Sequence, residues 1–378
     1  ILMTSAYKNL YLDTCNMLFD TYGKLIPHLT EIMEERFPRD EDVSKAAYTA
    51  SIRAKVLDCL RGLLPASTLT NMGVYGNGRF FEAMTQKLHY HNLSELQDLG
   101  KKVYGELTKV IPSFVRRADM SHKYCKTFGL FQEKMYSQCK AISEEQVFSE
   151  KYSKPGVRLV SHDPEAIEKV AATLLFSHTN QGFPELMEHC KGLSREELDR
   201  ILEAGCAGRE NRRHKSPRAL EQATFTFEIL ADFGIYRDLQ RHRTLTQERQ
   251  LLTCDYGYYI PKELEGTGMK EEYCAAMDKA CEAYGAIASE LPEEAQYIVP
   301  MAYNIRWYFT INLRALQWMC ELRSSPAGHP SYRFVAQQMA KAIFDVCPSF
   351  ERFFTFVDFE GYELGRLQQE ERIQQRRY

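Results

Sequence analysis

The sequence lacks any apolar run long enough to cross a membrane, although 44% of its 378 residues are hydrophobic. A membrane-spanning helix needs about 20 consecutive apolar residues, so we expect no membrane partner. No signal peptide is visible. The chain opens on Ile1 rather than methionine, which predicts that a natural N-terminal portion is missing from it.

Strong net charge and paired cysteines are also missing. The formal net charge is -3 and the basic residues are scattered, which is not typical of proteins that bind a nucleic-acid polymer, whereas a nucleotide needs only a local cluster. The 11 cysteines form no CxxC pairs and no finger-like spacing with histidine. This pattern argues against zinc fingers and disulfide scaffolds and favours reduced thiols in a cytoplasmic compartment.

Residues 216–261 are the most informative stretch. Residues 222–229 alternate polar and apolar side chains, which predicts a half-buried strand, and a short amphipathic helix follows. Arg241, His242 and Arg243 then place three potential cations at the C-terminal end of that helix, before a polar loop. Because arginine binds phosphates and carboxylates through a planar fork, the cluster predicts an anion site. The alternative is a helix end whose cations only complement the helix dipole.

An imperfect repeat divides the chain. Pro65 precedes Asn77 by the same distance that separates Pro300 from Asn312, and each copy ends in Pro-Ser-Phe. This matching predicts a duplicated half-domain whose first copy is incomplete at its N-terminus. We therefore expect an α+β fold of two fused copies, with long helices around small antiparallel sheets and one sheet per copy.

The repeat also predicts the domain boundaries. A partial copy spans residues 1–117, a connector spans residues 118–154, and a copy with the Arg-His-Arg motif spans residues 155–360. Residues 361–378 form a polar tail.

A second motif, Asn-x-Arg, occurs once in each copy. Asn312 and Arg314 follow a predicted strand at the start of a helix, where an amide, a guanidinium and backbone N–H groups bind anions together. The alternative is an ordinary N-cap with a solvated arginine. The motif recurs as Asn77 and Arg79, and this recurrence favours the functional interpretation.

Together, the strand, the helix, Arg-His-Arg and the loop ending near Tyr-Tyr-Ile-Pro resemble the signature of the flavin-dependent thymidylate synthases, the ThyX family. Members reduce FAD with NADPH and transfer a one-carbon unit from methylenetetrahydrofolate to C5 of dUMP, as tetramers with shared active sites. The resemblance implies a tandem, diverged homologue with FAD as cofactor, NADPH and methylenetetrahydrofolate as co-substrates, and a dUMP-like pyrimidine nucleotide as substrate. It also implies a homodimer that forms a pseudo-tetramer.

The resemblance assigns roles residue by residue. FAD contacts are implied for Ser216, Glu221, Arg241, His242, Arg243, Glu248, Asn77, Arg79, Asn312, Arg314 and His329. His214 has two interpretations, a residue near the mouth of the same site or solvated surface, and its place within a basic run favours the second.

The two copies differ at the family's nucleotide-binding arginines. The phosphate position is Arg61 in the first copy but Gln296 in the second, whereas the other arginine is Arg323 in the second copy and Leu88 in the first. Because these losses are complementary, we predict that Arg61 and Arg323 complete one substrate pocket. Drift in an inactive repeat is the alternative.

Departures from the family pattern concern the loop of residues 244–253. The family's serine and second arginine are lost near Gln250 and Leu251, so no catalytic residue is assigned, and Asp238 replaces a glutamine that faces the base. Two hypotheses remain: a flavoenzyme of the ThyX type, or a non-catalytic or repurposed flavin- or nucleotide-binding homologue. A helical scaffold without a ligand would leave the repeated Asn-x-Arg and the Arg-His-Arg cluster unexplained.

Overall fold

The structure is a computed structural model, and it describes residues 1–148 and 154–375. Within these residues helices predominate. They are Lys8–Arg36 (α1), Lys45–Leu60 (α2), Gly78–His89 (α3), Ser94–Val110 (α4), Pro112–Val115 (α5), Lys123–Glu145 (α6), Ala166–Phe176 (α7), Phe183–Lys191 (α8), Arg195–Ala204 (α9), Phe233–Leu239 (α10), Met269–Ala288 (α11), Pro292–Ala295 (α12), Leu313–Arg323 (α13), Pro330–Val346 (α14) and Leu367–Gln375 (α15).

One antiparallel sheet of four strands accompanies these helices. The strands are Gly156–His162 (β1), Thr224–Asp232 (β2), Leu245–Arg249 (β3) and Asn304–Asn312 (β4), in the order β1-β2-β4-β3. Alternate residues of β2 are buried, including Phe225, Phe227 and Ile229, as the period-2 pattern predicts. A mostly helical α+β fold is thus confirmed for the described residues.

The prediction of one sheet per copy is wrong for the described residues. All four strands lie within residues 156–312, and residues 68–77, at the repeat position of β4, form no strand. Leu69, Met72 and Tyr75 are 94%, 81% and 101% exposed in this stretch. β4 is stable because β2 and β3 pair with both of its edges, whereas an extended segment without such neighbours gains little from adopting a strand conformation.

The chain divides into two compact units. The first comprises residues 1–12, 67–152 and 285–297, and the second comprises the remainder. In the first unit, α3 packs against α4 and α5. The predicted connector contains α6, but residues 149–153 lie outside the described residues, as do residues 376–378 of the predicted tail.

A large apolar core stabilises the second unit. The aromatic side chains of β2 and β4 that face this core, among them Phe227, Trp307 and Phe309, are at most 1% exposed. Burying one such side chain contributes about 1.5–3 kcal/mol. The strand ends that border this core are therefore fixed in position, and they carry the site described below.

Element boundaries follow the sequence repeat. α3 and α13 both begin directly after the repeated asparagine, at Gly78 and Leu313. α4 and α14 are both 17 residues long. Three-residue 3-10 turns begin at Arg61 in one copy and at Gln296 in the other.

The two proline segments also pair with each other in the second unit, around an isolated bridge between Pro65 and Pro300. The Ala66 N–H donates to the Val299 carbonyl and the Met301 N–H donates to the Leu64 carbonyl, each at 2.9 Å. In these two hydrogen bonds, donor and acceptor occupy positions that correspond in the sequence repeat, Ala66 to Met301 and Leu64 to Val299.

Candidate functional site

The Arg-His-Arg segment follows a short capped helix. The side chain of Asp232 accepts a hydrogen bond from the Ile235 N–H and so caps α10. Burial raises the pKa of the Asp232 carboxyl to about 6. α10 ends at Leu239, so Arg241, His242 and Arg243 follow the helix end and precede β3. The helix ends because the chain must reverse here before β3 can pair with β4.

The second unit contains a cavity of about 690 Å³ near the edge of the sheet. Its walls come from residues 209–216, from the segment between α10 and β3, and from the first turns of α13. Of the residues predicted to contact FAD, the cavity brings together Ser216, Glu221, Arg241, His242, Arg243, Asn312 and Arg314. Three stretches that are far apart in the sequence therefore converge on one cavity.

Asn312 and Arg314 have different roles in the wall of this cavity. The Asn312 side chain accepts from the Ala315 N–H at 2.9 Å, so it is the N-cap that was weighed as an alternative. The Arg314 guanidinium donates to the Glu221 carboxylate at 2.6 Å and to the Ser216 carbonyl at 2.8 Å. Hydrogen bonds from Arg218 and Arg314 lower the pKa of Glu221. The two bonds from Arg314 fix its guanidinium at the cavity wall before any ligand binds.

The Ser216 hydroxyl is a polar group without a partner. The residue is 6% exposed, and its oxygen has no hydrogen-bond partner among the described residues. Most buried polar atoms in proteins are hydrogen-bonded, so an exception needs an explanation. A ligand oxygen in the adjacent cavity would supply the missing partner.

Residues 209–215 form a wall that the sequence interpretation missed. The Arg209 guanidinium makes two hydrogen bonds to the Glu321 carboxylate, at 2.6 and 2.5 Å, with side chains 8% and 0% exposed. It also donates to the His214 carbonyl at 3.0 Å. This buried pair fixes the segment, because removing one partner would leave an uncompensated buried charge. His214, interpreted from sequence as solvated surface, lines the cavity.

Arg61 and Arg323 approach the same end of α10, within the second unit. The Arg61 guanidinium lies 3.7 Å from the Asp238 carboxylate, and Asp238 lies 3.5 Å from Arg241. Arg323 donates to His242 Nε2 at 3.1 Å. The guanidinium groups of the two repeat copies therefore both contact side chains between residues 238 and 242.

His329 lies near these arginines but is not on the wall of the large cavity. It lines a separate, small cavity of about 40 Å³, and its Nε2 is 3.3 Å from the Asp58 carbonyl. Burial and the charge of Arg61 lower the pKa of His329 to about 3. Its ring centroid is 6.3 Å from that of Tyr332, which also lies 5.6 Å from the Arg323 guanidinium.

Three further predicted residues lie elsewhere. Glu248 is in β3, opposite Tyr308 of β4, and does not line the cavity. Asn77 and Arg79 belong to the first unit, where Asn77 caps α3 and Arg79 lies 3.8 Å from Glu82. FAD contacts by these residues remain a prediction.

The protonation of His242 gives a testable consequence. Burial and the neighbouring Arg323 lower its pKa to about 4, so the imidazole is neutral at pH 7 and accepts from Arg323. The unfolded chain takes up this proton below about pH 6.5 and the folded chain only below about pH 4, so the contribution of His242 to the free energy of unfolding declines as the pH falls through this window. We expect Arg323→Gln to raise the His242 pKa, measured by NMR titration. An unchanged His242 pKa in this variant would show that Arg323 does not contribute to lowering it.

Comparison with known proteins identifies the family. The sequence model of the family "Thymidylate synthase complementing protein" matches residues 158–349, which include the whole Arg-His-Arg segment and all three stretches that line the cavity. The chain belongs to this family.

The chain is also similar to individual proteins over long stretches. The chain is 52% identical over 373 residues to a UPF0159 protein of Chlamydia pneumoniae, covering 98% of this chain and 70% of that protein. It is 33% identical over 386 residues to a UPF0159 protein of Thermoplasma acidophilum, covering 96% and 75%. It is 25% identical over 220 residues to a flavin-dependent thymidylate synthase of Clostridium tetani, covering 51% and 84%.

The structure also bears on membrane association. Within residues 1–148 and 154–375, no helix has the length and apolar character needed to cross a membrane.

Proposed function

We propose that this protein is a flavoenzyme of the ThyX type that binds FAD in the 690 Å³ cavity. Its reaction would be the NADPH-dependent reductive transfer of one carbon from methylenetetrahydrofolate to dUMP or a related pyrimidine nucleotide. The observation that carries this proposal is the convergence of Arg241, His242, Arg243 and Arg314 on one cavity wall. Membership of the family, and the likeness to the Clostridium tetani synthase, support it.

The residues of the cavity fit a dinucleotide cofactor. Arg241, which lies 3.5 Å from Asp238, and Arg243 place positive charge at the cavity. The Ser216 hydroxyl, which has no hydrogen-bond partner among the described residues, offers a further polar contact. Arginine forks suit a diphosphate, since each guanidinium can bind two oxygens. The cavity is within the size range of sites for ligands of this kind.

Bound FAD would supply the hydride chemistry. The described residues would bind and orient the reactants around it. Arg314, fixed by Glu221, would hold the cofactor at the start of α13. Arg61 and Arg323 would bind the nucleotide phosphate and stabilise charge at a partly buried site, where the dielectric constant is lower and fixed donors are more effective. Neutral His242 would keep the Arg323 guanidinium in position.

We further propose that the chain contains two fused copies of the ThyX fold and that one nucleotide pocket is shared between them. Matching helix starts after Asn77 and Asn312 support a duplication, as does the reciprocal pairing around Pro65 and Pro300. Arg61 comes from the first copy and Arg323 from the second. A homodimer of such chains would reproduce the four folds of a tetramer.

A non-catalytic or repurposed flavin-binding protein is the second candidate. The specific observation is the segment after Arg-His-Arg, where the family's serine and arginine are replaced. The Gln250 N–H donates to the Arg306 carbonyl at 3.0 Å, and Leu251, 43% exposed, offers no polar side chain. These positions would contribute little to polarising a uracil ring.

One experiment separates the two candidates. The purified chain is assayed for bound FAD after denaturation, for NADPH oxidation, and for transfer of label from methylenetetrahydrofolate to dUMP. The flavoenzyme proposal predicts all three. Bound FAD without label transfer to any pyrimidine nucleotide would favour the second candidate, and absence of FAD at saturating concentration would contradict both.

We expect Asp238 to weaken nucleotide binding, because its carboxylate partly neutralises the positive charge of Arg61 and Arg241. Replacing it by asparagine should raise the affinity for dUMP by roughly three- to tenfold, since it removes a negative charge beside the phosphate-binding arginines. The measurement is calorimetric titration with dUMP in the presence of FAD. Asp278→Asn, at a carboxylate bonded to Tyr258, is the control. Weaker binding in Asp238→Asn would show that the carboxylate contacts the nucleotide favourably.

A further inference from the structure

One end of the large cavity contains an aromatic surface that the proposed function has not used. Trp318 lines the cavity and is 40% exposed. It follows Arg314 by four residues in α13, so the two side chains lie on the same face of the helix, one turn apart. An exposed indole in a cavity wall offers apolar ring surface to a ligand, and this position is next to the residues proposed to bind a cofactor.

Arg212 fixes the position of this aromatic surface. Its guanidinium carbon lies 5.9 Å from the centre of the Trp318 ring, and it donates to the Glu321 carbonyl at 3.2 Å. Arg212 belongs to the segment that the buried pair of Arg209 and Glu321 immobilises. The indole therefore has a cation on one side and the open cavity on another, which leaves ring surface available for a flat ligand.

The charged residues near Trp318 indicate which class of ligand would bind against its ring. Arg213 and Lys215 line the same cavity as Trp318 and are exposed. A flat ring next to several cations matches a purine linked to phosphates, because the base stacks on the indole while the phosphates contact the cations.

We infer that Trp318 is the stacking platform for the adenine ring of the cofactor, so that the cavity selects FAD over FMN and riboflavin. Arg213 and Lys215 add to the positive charge that Arg241 and Arg243 present to the diphosphate. This inference rests on the proposed function, because it assigns the adenosine end of the same ligand. It makes Trp318 a residue that determines cofactor specificity.

The chain offers a direct optical probe. It contains two tryptophans, and the other, Trp307 in β4, is 1% exposed. The full-length chain is titrated with ADP while tryptophan emission is recorded. We expect a saturable change in emission that disappears in Trp318→Phe, because only the buried Trp307 remains in that variant. An emission change of equal size in Trp318→Phe, or none in the unmodified chain, would overturn the inference.

Affinities give the second test. Trp318→Ala should weaken FAD binding at least tenfold, an effect in the range measured for loss of a base-stacking aromatic, and should change FMN binding less than twofold. Trp318→Phe, which keeps an aromatic ring, should retain FAD binding within about threefold. Phe334→Ala, at an aromatic residue that is 52% exposed and lines a different cavity, is the control and should leave both affinities unchanged.

The possible failures are distinguishable. Equal weakening of FAD and FMN in Trp318→Ala, or no weakening of either, would overturn the adenine assignment and leave the proposed function standing. Failure of the unmodified chain to bind either flavin would overturn the proposed function, and this inference with it.

Discussion

Replacing Arg314 by alanine is expected to weaken FAD binding by about 100-fold or more. Arg314 donates to Glu221 at 2.6 Å and lines the cavity. Its loss removes a charge-assisted contact and also leaves the Glu221 carboxylate, opposite an anionic ligand, with only the exposed Arg218 as its partner. Together these effects amount to about 3 kcal/mol. Equilibrium dialysis with FAD measures the change.

Arg218→Ala is the matched control for this variant. Arg218 pairs with the same Glu221, at 3.2 Å, but its side chain is 83% exposed and does not line the cavity. An exposed pair of this kind contributes little, so FAD affinity should change less than twofold. If the two variants lost FAD to the same degree, the effect would come from Glu221 rather than from a contact between Arg314 and the cofactor.

Replacing Arg61 by alanine should lower the affinity for dUMP by about 10- to 100-fold, and Arg323→Ala should do the same. The result for Arg61 is the decisive one, because Arg61 belongs to the first repeat copy. Both guanidinium groups contact the segment of Asp238 and His242, so we expect both to act on one ligand. Calorimetric titration with dUMP, at saturating FAD, gives the two affinities.

Arg53→Ala controls for the loss of an arginine near Arg61. Arg53 lies in α2, and its side chain is exposed, so dUMP affinity should not change. If Arg61→Ala bound dUMP like the unmodified chain while Arg323→Ala did not, the first copy would contribute nothing to the pocket, and the alternative of drift in an inactive repeat would be correct.

Local sequence patterns predicted the elements that depend on local physics. Alternation in residues 222–229 indicated β2, which spans Thr224–Asp232, because one face of this strand packs against the core. The capping box of Ser194 and Glu197 at the start of α9 is likewise a local feature, because its two partners are three residues apart in the sequence. These features need no information from distant parts of the chain.

Features that depend on distant partners were not predictable in this way. β3 was interpreted as a polar loop, because its residues do not alternate clearly and its stability comes from pairing with β4. The expected sheet of the first copy is absent from the described residues for a similar reason, since Met72 and its neighbours have no strand beside them there.

In the candidate site, too, some residues could be identified from local sequence and others depend on distant partners. Arg241, His242, Arg243 and Arg314 were identified from residue type and spacing, and the structure places them on one cavity. The wall at residues 209–215 was missed because its basic run resembles solvated surface. Only the buried partner Glu321, more than one hundred residues away, shows that Arg209 is structural.

The most direct test of the central claim is a crystal structure of the chain grown with FAD and dUMP. We expect flavin density in the 690 Å³ cavity, in contact with Arg243 and Arg314, and nucleotide phosphate between Arg61 and Arg323. Density for either ligand at an unrelated surface, or no density at concentrations that saturate binding in solution, would contradict the claim.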